Sequence, residues 1–274
     1  MNNNPLRQYF RRPAVYVKLP SGGQGYPEGM LDLPESGELP VYPMTAIDEI
    51  TTRTPDALFN GTALVELVKS CIPGIKDPWT ISSNDMDAVL IAIKIASSGE
   101  VLEIDTSCPS CNEVSTYGVN LVPILNTLRP GDYITPLVSG ELTIKFKPLH
   151  YRDMNAAALA QFEVQRTYAN LDGIESDEER NRITKNALEK ITDLTMNLLS
   201  TSIEYIQTST VRVDQKEYIL DFLKNCDRNM YIKIRDYNSD LRTATEIKPL
   251  NITCDSCAHE YEQAFTLSPV DFFD

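Results

Sequence analysis

Two Cys-x-x-Cys pairs, Cys108-Pro109-Ser110-Cys111 and Cys254-Asp255-Ser256-Cys257, constrain this chain more than any other feature. Two thiolates three residues apart can hold one face of a tetrahedral cation, and two such pairs complete a four-cysteine site with no position left open for catalysis. The surroundings of the pairs are similar. Shifted by the 146 residues that separate Cys108 from Cys254, Val119 falls on Phe265, Leu121 on Leu267, Pro123 on Pro269 and Ile124 on Val270. Each pair reads as a zinc knuckle leading into a β-strand. The expectation is one ribbon-like site in which Cys108, Cys111, Cys254 and Cys257 hold a structural Zn2+ ion. The 142 residues between the pairs far exceed the roughly 15–20 of common zinc ribbons, so bare reduced knuckles and two disulfides stay open as alternatives. His259 can replace a cysteine as ligand, but with four cysteines present it reads better as a strand residue facing solvent. No βαβ pattern surrounds either pair, which argues against a thioredoxin-like redox role.

Composition is that of an ordinary soluble globular chain, with 274 residues, 42% hydrophobic and 23% charged. No apolar run approaches the length of a membrane helix, and no basic start leads into an apolar stretch, so neither anchor nor signal peptide is expected. Four of the six cysteines sit in ligand-like spacing, which points to a reducing compartment. Cys71 and Cys226 are expected to be buried small apolar residues. The formal charge of −14 opposes binding to phosphate backbones, which begins with a basic patch.

Residues 1–43 are broken by Pro5, Pro13, Pro20, Pro27, Pro34, Pro40 and Pro43 and by Ser21-Gly22-Gly23-Gln24-Gly25. Each proline fixes φ and removes a donor, so an extended arm with brief edge pairing is expected. Within it Tyr9 and Phe10 alternate with Arg7, Arg11 and Arg12, a plausible docking tip for an acidic partner.

A helical subdomain is expected over 44–99. Thr45 with Asp48 resembles a capping pair, Thr54-Pro55 a helix start, and Ser82 with Asp85 another cap. Ala63, Leu64, Leu67, Val68 and Cys71 form an apolar stripe, and Val89 to Ile93 is apolar almost all round, as in a buried helix. Asp77, Asp85 and Asp87 read as cap and first-turn acids rather than metal ligands. The first knuckle and its strands occupy 100–149, including an alternating strand at 141–147. A helical insertion covers 150–246, with Ser176 and Glu179 as a capping box and Asp214 as a further cap. The second knuckle and tail fill 247–274. The fold class is α+β: a mainly helical body, a small antiparallel β zinc-ribbon-like module and an extended N-terminal arm.

The search for catalytic chemistry finds little. His150 and His259 are the two histidines, and no nucleophile elbow, P-loop, dinucleotide fingerprint or His-Glu-x-x-His occurs. No carboxylate is expected to have a raised pKa. An enzyme is not expected.

Leu19-Pro20-Ser21-Gly22-Gly23, Val41-Tyr42-Pro43-Met44-Thr45-Ala46-Ile47-Asp48-Glu49, Pro55-Asp56-Ala57-Leu58 with Asn60-Gly61, and Ser70-Cys71-Ile72-Pro73 resemble the T4-like phage baseplate hub and hub-assembly proteins. So do Asp85-Met86-Asp87-Ala88, Ala92-Ile93-Lys94-Ile95-Ala96, both knuckles and the ending Asp271-Phe272-Phe273. The resemblance implies a non-enzymatic component of a contractile-tail baseplate, working in the central hub by contacts with other hub or wedge proteins. It implies a location in the host bacterial cytoplasm during assembly, in the virion, or both. No nucleic-acid, membrane or small-molecule partner follows from it. Tyr9, Phe10, Arg11, Arg12, Phe272 and Phe273 are the expected partner contacts. The competing reading is a zinc-ribbon nucleic-acid or transcription module.

Overall fold

The computed structural model describes residues 4–52, 60–169 and 176–265. Thr54-Pro55, Leu267, Pro269, Val270, Phe272 and Phe273 lie outside the described residues. The chain is α+β with small antiparallel sheets, and it divides into two compact units. The described residues up to Pro130, with those from Thr245 onward, form the first. Gly131–Ala244 forms the second.

In the first unit, β1 (Val15–Lys18) pairs antiparallel with β2 (Glu38–Val41), Val17 opposite Leu39. Alternation sends Val17, Leu39 and Val41 into the core. The helix α1 (Ala46–Thr52) opens with the expected capping pair: the Thr45 amide donates to Asp48 Oδ2 at 2.7 Å, and the Asp48 amide donates to Thr45 Oγ1 at 3.2 Å. Next comes α2 (Thr62–Cys71), whose stripe of Ala63, Leu64, Leu67, Val68 and Cys71 is buried as its spacing predicts.

The centre of this unit is α3 (Ser83–Ser98). Every residue from Ala88 to Ile93 is buried, and each large aliphatic side chain there contributes roughly 1.5–3 kcal/mol. Ser82 caps it by accepting from the Asn84 amide at 3.2 Å, and Gly99 ends it at a φ of 93°. Asp85 does not act in the cap as expected, because its carboxylate turns inward to the Ser21 loop. The hairpin of β3 (Val101–Ser107) and β4 (Val114–Asn120) then carries the first knuckle at its tip. Asn120 caps the short helix α4 (Leu121–Thr127), accepting from the Val122 amide at 2.9 Å.

The second unit starts with β5 (Leu137–Ser139) and β6 (Leu142–Phe146), the second of which falls on the alternating stretch at 141–147. The long helices α5 (Tyr151–Ala169) and α6 (Asp177–Ser202) follow, the second capped by Ser176, which accepts from the Glu179 amide at 3.4 Å. Then β7 (Ile203–Gln207) and β8 (Arg212–Val213) complete a four-stranded sheet in the order β5-β6-β7-β8. Two helices, α7 (Lys216–Asn225) and α8 (Arg228–Thr243), close the unit over Ile144, Phe146, Leu199, Ile203, Ile206, Ile219 and Leu223. Asp214 is not the cap of α7. That position falls to Gln215, whose side chain makes no capping bond. Asp227 caps α8 with bonds from the Asn229 and Met230 amides. Cys226 is half-buried rather than core, its thiol turned to the Leu223 carbonyl at 3.6 Å.

The chain returns to the first unit with β9 (Leu250–Thr253) and β10 (Glu260–Gln263), a second hairpin with the second knuckle at its tip. Among the described residues no helix is long and apolar enough to cross a membrane.

Candidate metal centre

The two hairpins are built alike. In the first, Ser107 stands opposite Val114 across the knuckle; in the second, Thr253 stands opposite Glu260. Both registers agree under the same 146-residue shift that aligns the cysteines. The turns repeat as well. The Cys108 amide donates to the Glu113 carbonyl at 2.9 Å and the Asn112 amide to the Cys108 carbonyl at 2.9 Å. At the second knuckle the Cys254 amide donates to the His259 carbonyl at 2.9 Å and the Ala258 amide to the Cys254 carbonyl at 2.8 Å. Both turns need a left-handed residue directly after the second cysteine, Asn112 at φ 58° and Ala258 at φ 57°. Asparagine tolerates that region. Alanine has no such ease, and nothing in its sequence context announces it.

An apolar floor brings the hairpins together. Leu121, Ile124 and Phe265 are buried with Ile91 of α3, and Leu102, Ile104, Val119 and Leu250 pack against them. Above this floor, Thr106 Oγ1 donates to Gln263 Oε1 at 2.8 Å, tying the first hairpin to the second. The knuckles therefore face each other, and the four sulfurs lie within 4.8 Å of one another. Cys108 Sγ is 3.7 Å from Cys257 Sγ, and Cys111 Sγ is 3.7 Å from Cys254 Sγ. All four cysteines are free thiols in this structure, and the two separations across the knuckles exceed the roughly 2.0 Å of a disulfide. They fit a tetrahedral thiolate site, since metal–sulfur bonds of about 2.3 Å set sulfur–sulfur edges of about 3.8 Å. The inner pair, Cys108 and Cys254, is buried, whereas Cys111 and Cys257 are exposed.

The local electrostatics favour anionic sulfur at one point. Burial by itself would raise the Cys108 thiol, but hydrogen bonds from the Cys111 and Ser110 amides and from neighbouring thiols bring it down to about 6. At Cys111 the Glu113 amide acts downward, yet hydrogen bonding with Cys257, burial and the other thiols outweigh it and push it up to about 12. One negative charge is thus accommodated at Cys108 with thiol donors around it. A divalent cation among them would favour thiolates throughout. His259 stays outside this set: it is exposed, and its ring stacks on Tyr261 at 6.3 Å.

The other expected positions divide. Tyr9, Phe10 and Arg12 are exposed. Arg11 is half-buried and bonded within its own unit. One Arg11 nitrogen donates to the Pro43 carbonyl at 2.6 Å and faces Asp48 Oδ2 at 3.4 Å. The other donates to the Ser70 carbonyl at 2.9 Å and to Ser70 Oγ at 2.8 Å. His150 stands at the start of α5, where its amide donates to Asp153 Oδ2 at 3.3 Å.

Two carboxylates correct the expectation that none is raised. Asp85 is fully buried, and desolvation raises its pKa although Ser21 and Tyr26 hydrogen-bond to it. Asp87 is raised by desolvation and by the neighbouring Glu246 charge. Neither residue stands beside a nucleophile-and-base arrangement in sequence. The signal was an acidic residue at the head of a nearly all-apolar helix.

No curated protein and no solved structure gives a significant match to the chain. The family described as T4 bacteriophage base plate protein matches it over residues 16–274, almost its whole length, and the chain belongs to that family.

Proposed function

We propose that this base plate protein works in the central hub of a contractile tail, as a non-enzymatic part whose fold is held by a structural Zn2+ ion. The single observation that carries the metal assignment is the convergence of Cys108, Cys111, Cys254 and Cys257 within 4.8 Å from two knuckles of matching geometry. When bound, the ion supplies a four-point cross-link and no open coordination position. The chain supplies the rest: the apolar floor sets the hairpins side by side, and the knuckle amides direct partial positive charge at the sulfurs. Structural zinc sites contribute directly to folding free energy, so the clasp would hold both borders of the second unit's insertion in place.

Membership of the family supports a structural role among other base plate proteins. Hub or wedge subunits are the partners proposed for the exposed Tyr9, Phe10 and Arg12 and for Phe272 and Phe273. The particle, and the host cytoplasm during assembly, are the proposed locations. A mass-spectrometric inventory of purified virions and of hub intermediates tests the position. Recovery with hub components supports it, and recovery only with tail-tube or head proteins defeats it. Removing residues 272–274 tests the tail contact: lost assembly at an unchanged Tm supports it, and a destabilised isolated chain defeats it. Elemental analysis of the purified protein tests the metal, with about one zinc per chain expected and none after Cys108→Ser with Cys254→Ser.

A further inference from the structure

We propose that the segment Asn4–Arg12 docks onto the outer face of the first hairpin of a second copy of this chain, linking copies head to tail. The inference narrows the partner proposed above for Tyr9, Phe10 and Arg12 to a second copy of this chain, and it does not depend on the metal.

The docking segment is basic, aromatic and held in shape. Residues 1–27 carry Arg7, Arg11, Arg12 and Lys18 and no acidic side chain, in a chain of formal charge −14. Asn4 Oδ1 accepts from the Leu6 amide at 2.9 Å, the Phe10 amide donates to the Arg7 carbonyl at 3.2 Å, and the buried grip on Arg11 pins the segment to α1 and α2. With Arg11 turned inward, Leu6, Tyr9 and Phe10 stay exposed, Tyr9 to 77%, and so do Arg7 and Arg12. Rigid aromatic side chains beside arginine are the residue types that anchor protein interfaces.

The receiving face has the opposite character. In the β3–β4 hairpin, alternate residues point away from the apolar floor, which exposes Val101, Glu103, Asp105 and Val114, with Glu113 at the knuckle. No lysine or arginine occurs from Glu100 to Asn120. Val101 is 56% and Val114 66% exposed, so the face offers an apolar side chain near each end with Glu103 and Asp105 between them. Gly118, opposite Glu103, leaves bare backbone beside Val101, where an added Cβ would come within 3.2 Å of the valine methyl. Val101, Glu103, Asp105, Ser107, Val114, Thr116 and Gly118, which alternate along this face, are all exposed.

Both surfaces are exposed on one chain; each has the charge that the other lacks, and both carry exposed apolar side chains. The apolar side chains would supply the affinity, while the opposite charges steer the encounter and set the register. Contact between two different patches of identical chains is heterologous, so it builds a ring where the rotation closes and a filament where it does not.

Sedimentation velocity of the full chain over a concentration series, at low and high salt, tests this. Association that rises with concentration and falls with salt is expected. Arg7→Glu with Arg12→Glu weakens it by about tenfold or more, and so does Glu103→Lys with Glu113→Lys. Mixing the two charge-reversed variants restores association between them, and an unchanged Tm shows that both are folded. A wild-type chain monomeric at every concentration overturns the proposal, and so does association indifferent to both reversals. Capture of a different base plate protein by the segment while the chain itself stays monomeric also overturns it. A monomeric chain still recovered from purified base plates sinks this proposal alone and leaves the family role intact.

Discussion

Ser21 and Asp85 are joined twice across 64 residues: the Ser21 amide donates to Asp85 Oδ1 at 2.8 Å, and the Ser21 hydroxyl donates to Oδ2 at 2.5 Å. The Tyr26 hydroxyl adds a third bond, to Oδ2 at 3.0 Å. A buried carboxylate with three donors thus pins the glycine-rich connection between β1 and β2 to the head of α3.

This arrangement makes stability depend on pH. Desolvation raises the Asp85 pKa in the folded chain above its ordinary value. Below the ordinary carboxylate range both states are protonated and no penalty exists. As pH rises from that range through the raised folded value, the unfolded chain gives up its proton before the native one does, so stability falls and then levels off. Melting curves of the wild type and Asp85→Asn between about pH 4 and pH 7 are expected to show the wild type losing stability relative to the variant as pH rises. A pH-independent difference would rule out this assignment.

Arg11 holds the arm. Replacing it with methionine removes bonds to Pro43 and Ser70 and leaves Asp48, with only 10% of its side chain exposed, without its cation. A loss of about 2–3 kcal/mol is expected from urea unfolding. Arg11→Lys should recover less than half, because one ammonium cannot reproduce the two-nitrogen grip. A loss under about 0.5 kcal/mol would mean that the arm is held elsewhere.

Removing the proposed Zn2+ ion should lower stability by about several kcal/mol, as a four-sulfur clasp would couple directly to folding. A chelator is expected to depress Tm, and zinc is expected to restore it. Cys254→Ser should cost more than Cys257→Ser, since the first places a hydroxyl in a buried position and the second in an exposed one. Equal melting with and without chelator would argue for bare knuckles.

Ala258 carries backbone strain that Asn112 avoids at the matching position. Ala258→Asn is therefore expected to raise stability by up to about 1 kcal/mol, and Asn112→Ala to lower it by a similar amount. Thermal unfolding of the two single variants checks both signs, and the same sign for both would contradict the equivalence of the knuckles.

The elements were largely readable because their causes are local. Thr45 with Asp48, Ser82 and Ser176 cap helices within three residues of themselves, and the stripe from Ala63 to Cys71 has helical spacing. Asp85 is the first-turn acid that its position suggests, but its side-chain partners were not legible. Those partners sit 64 and 59 residues away.

By itself the sequence determined which residues can ligate a metal, because thiol chemistry and a spacing of three are properties of the chain alone. Only the tertiary structure decided that the knuckles meet, with 3.7 Å between sulfurs that stand 149 and 143 residues apart. That decision rests on Leu121, Ile124, Phe265 and Ile91 sharing one apolar floor. Burial of this kind depends on which surfaces come together in space, and no stretch of residues read in order contains it.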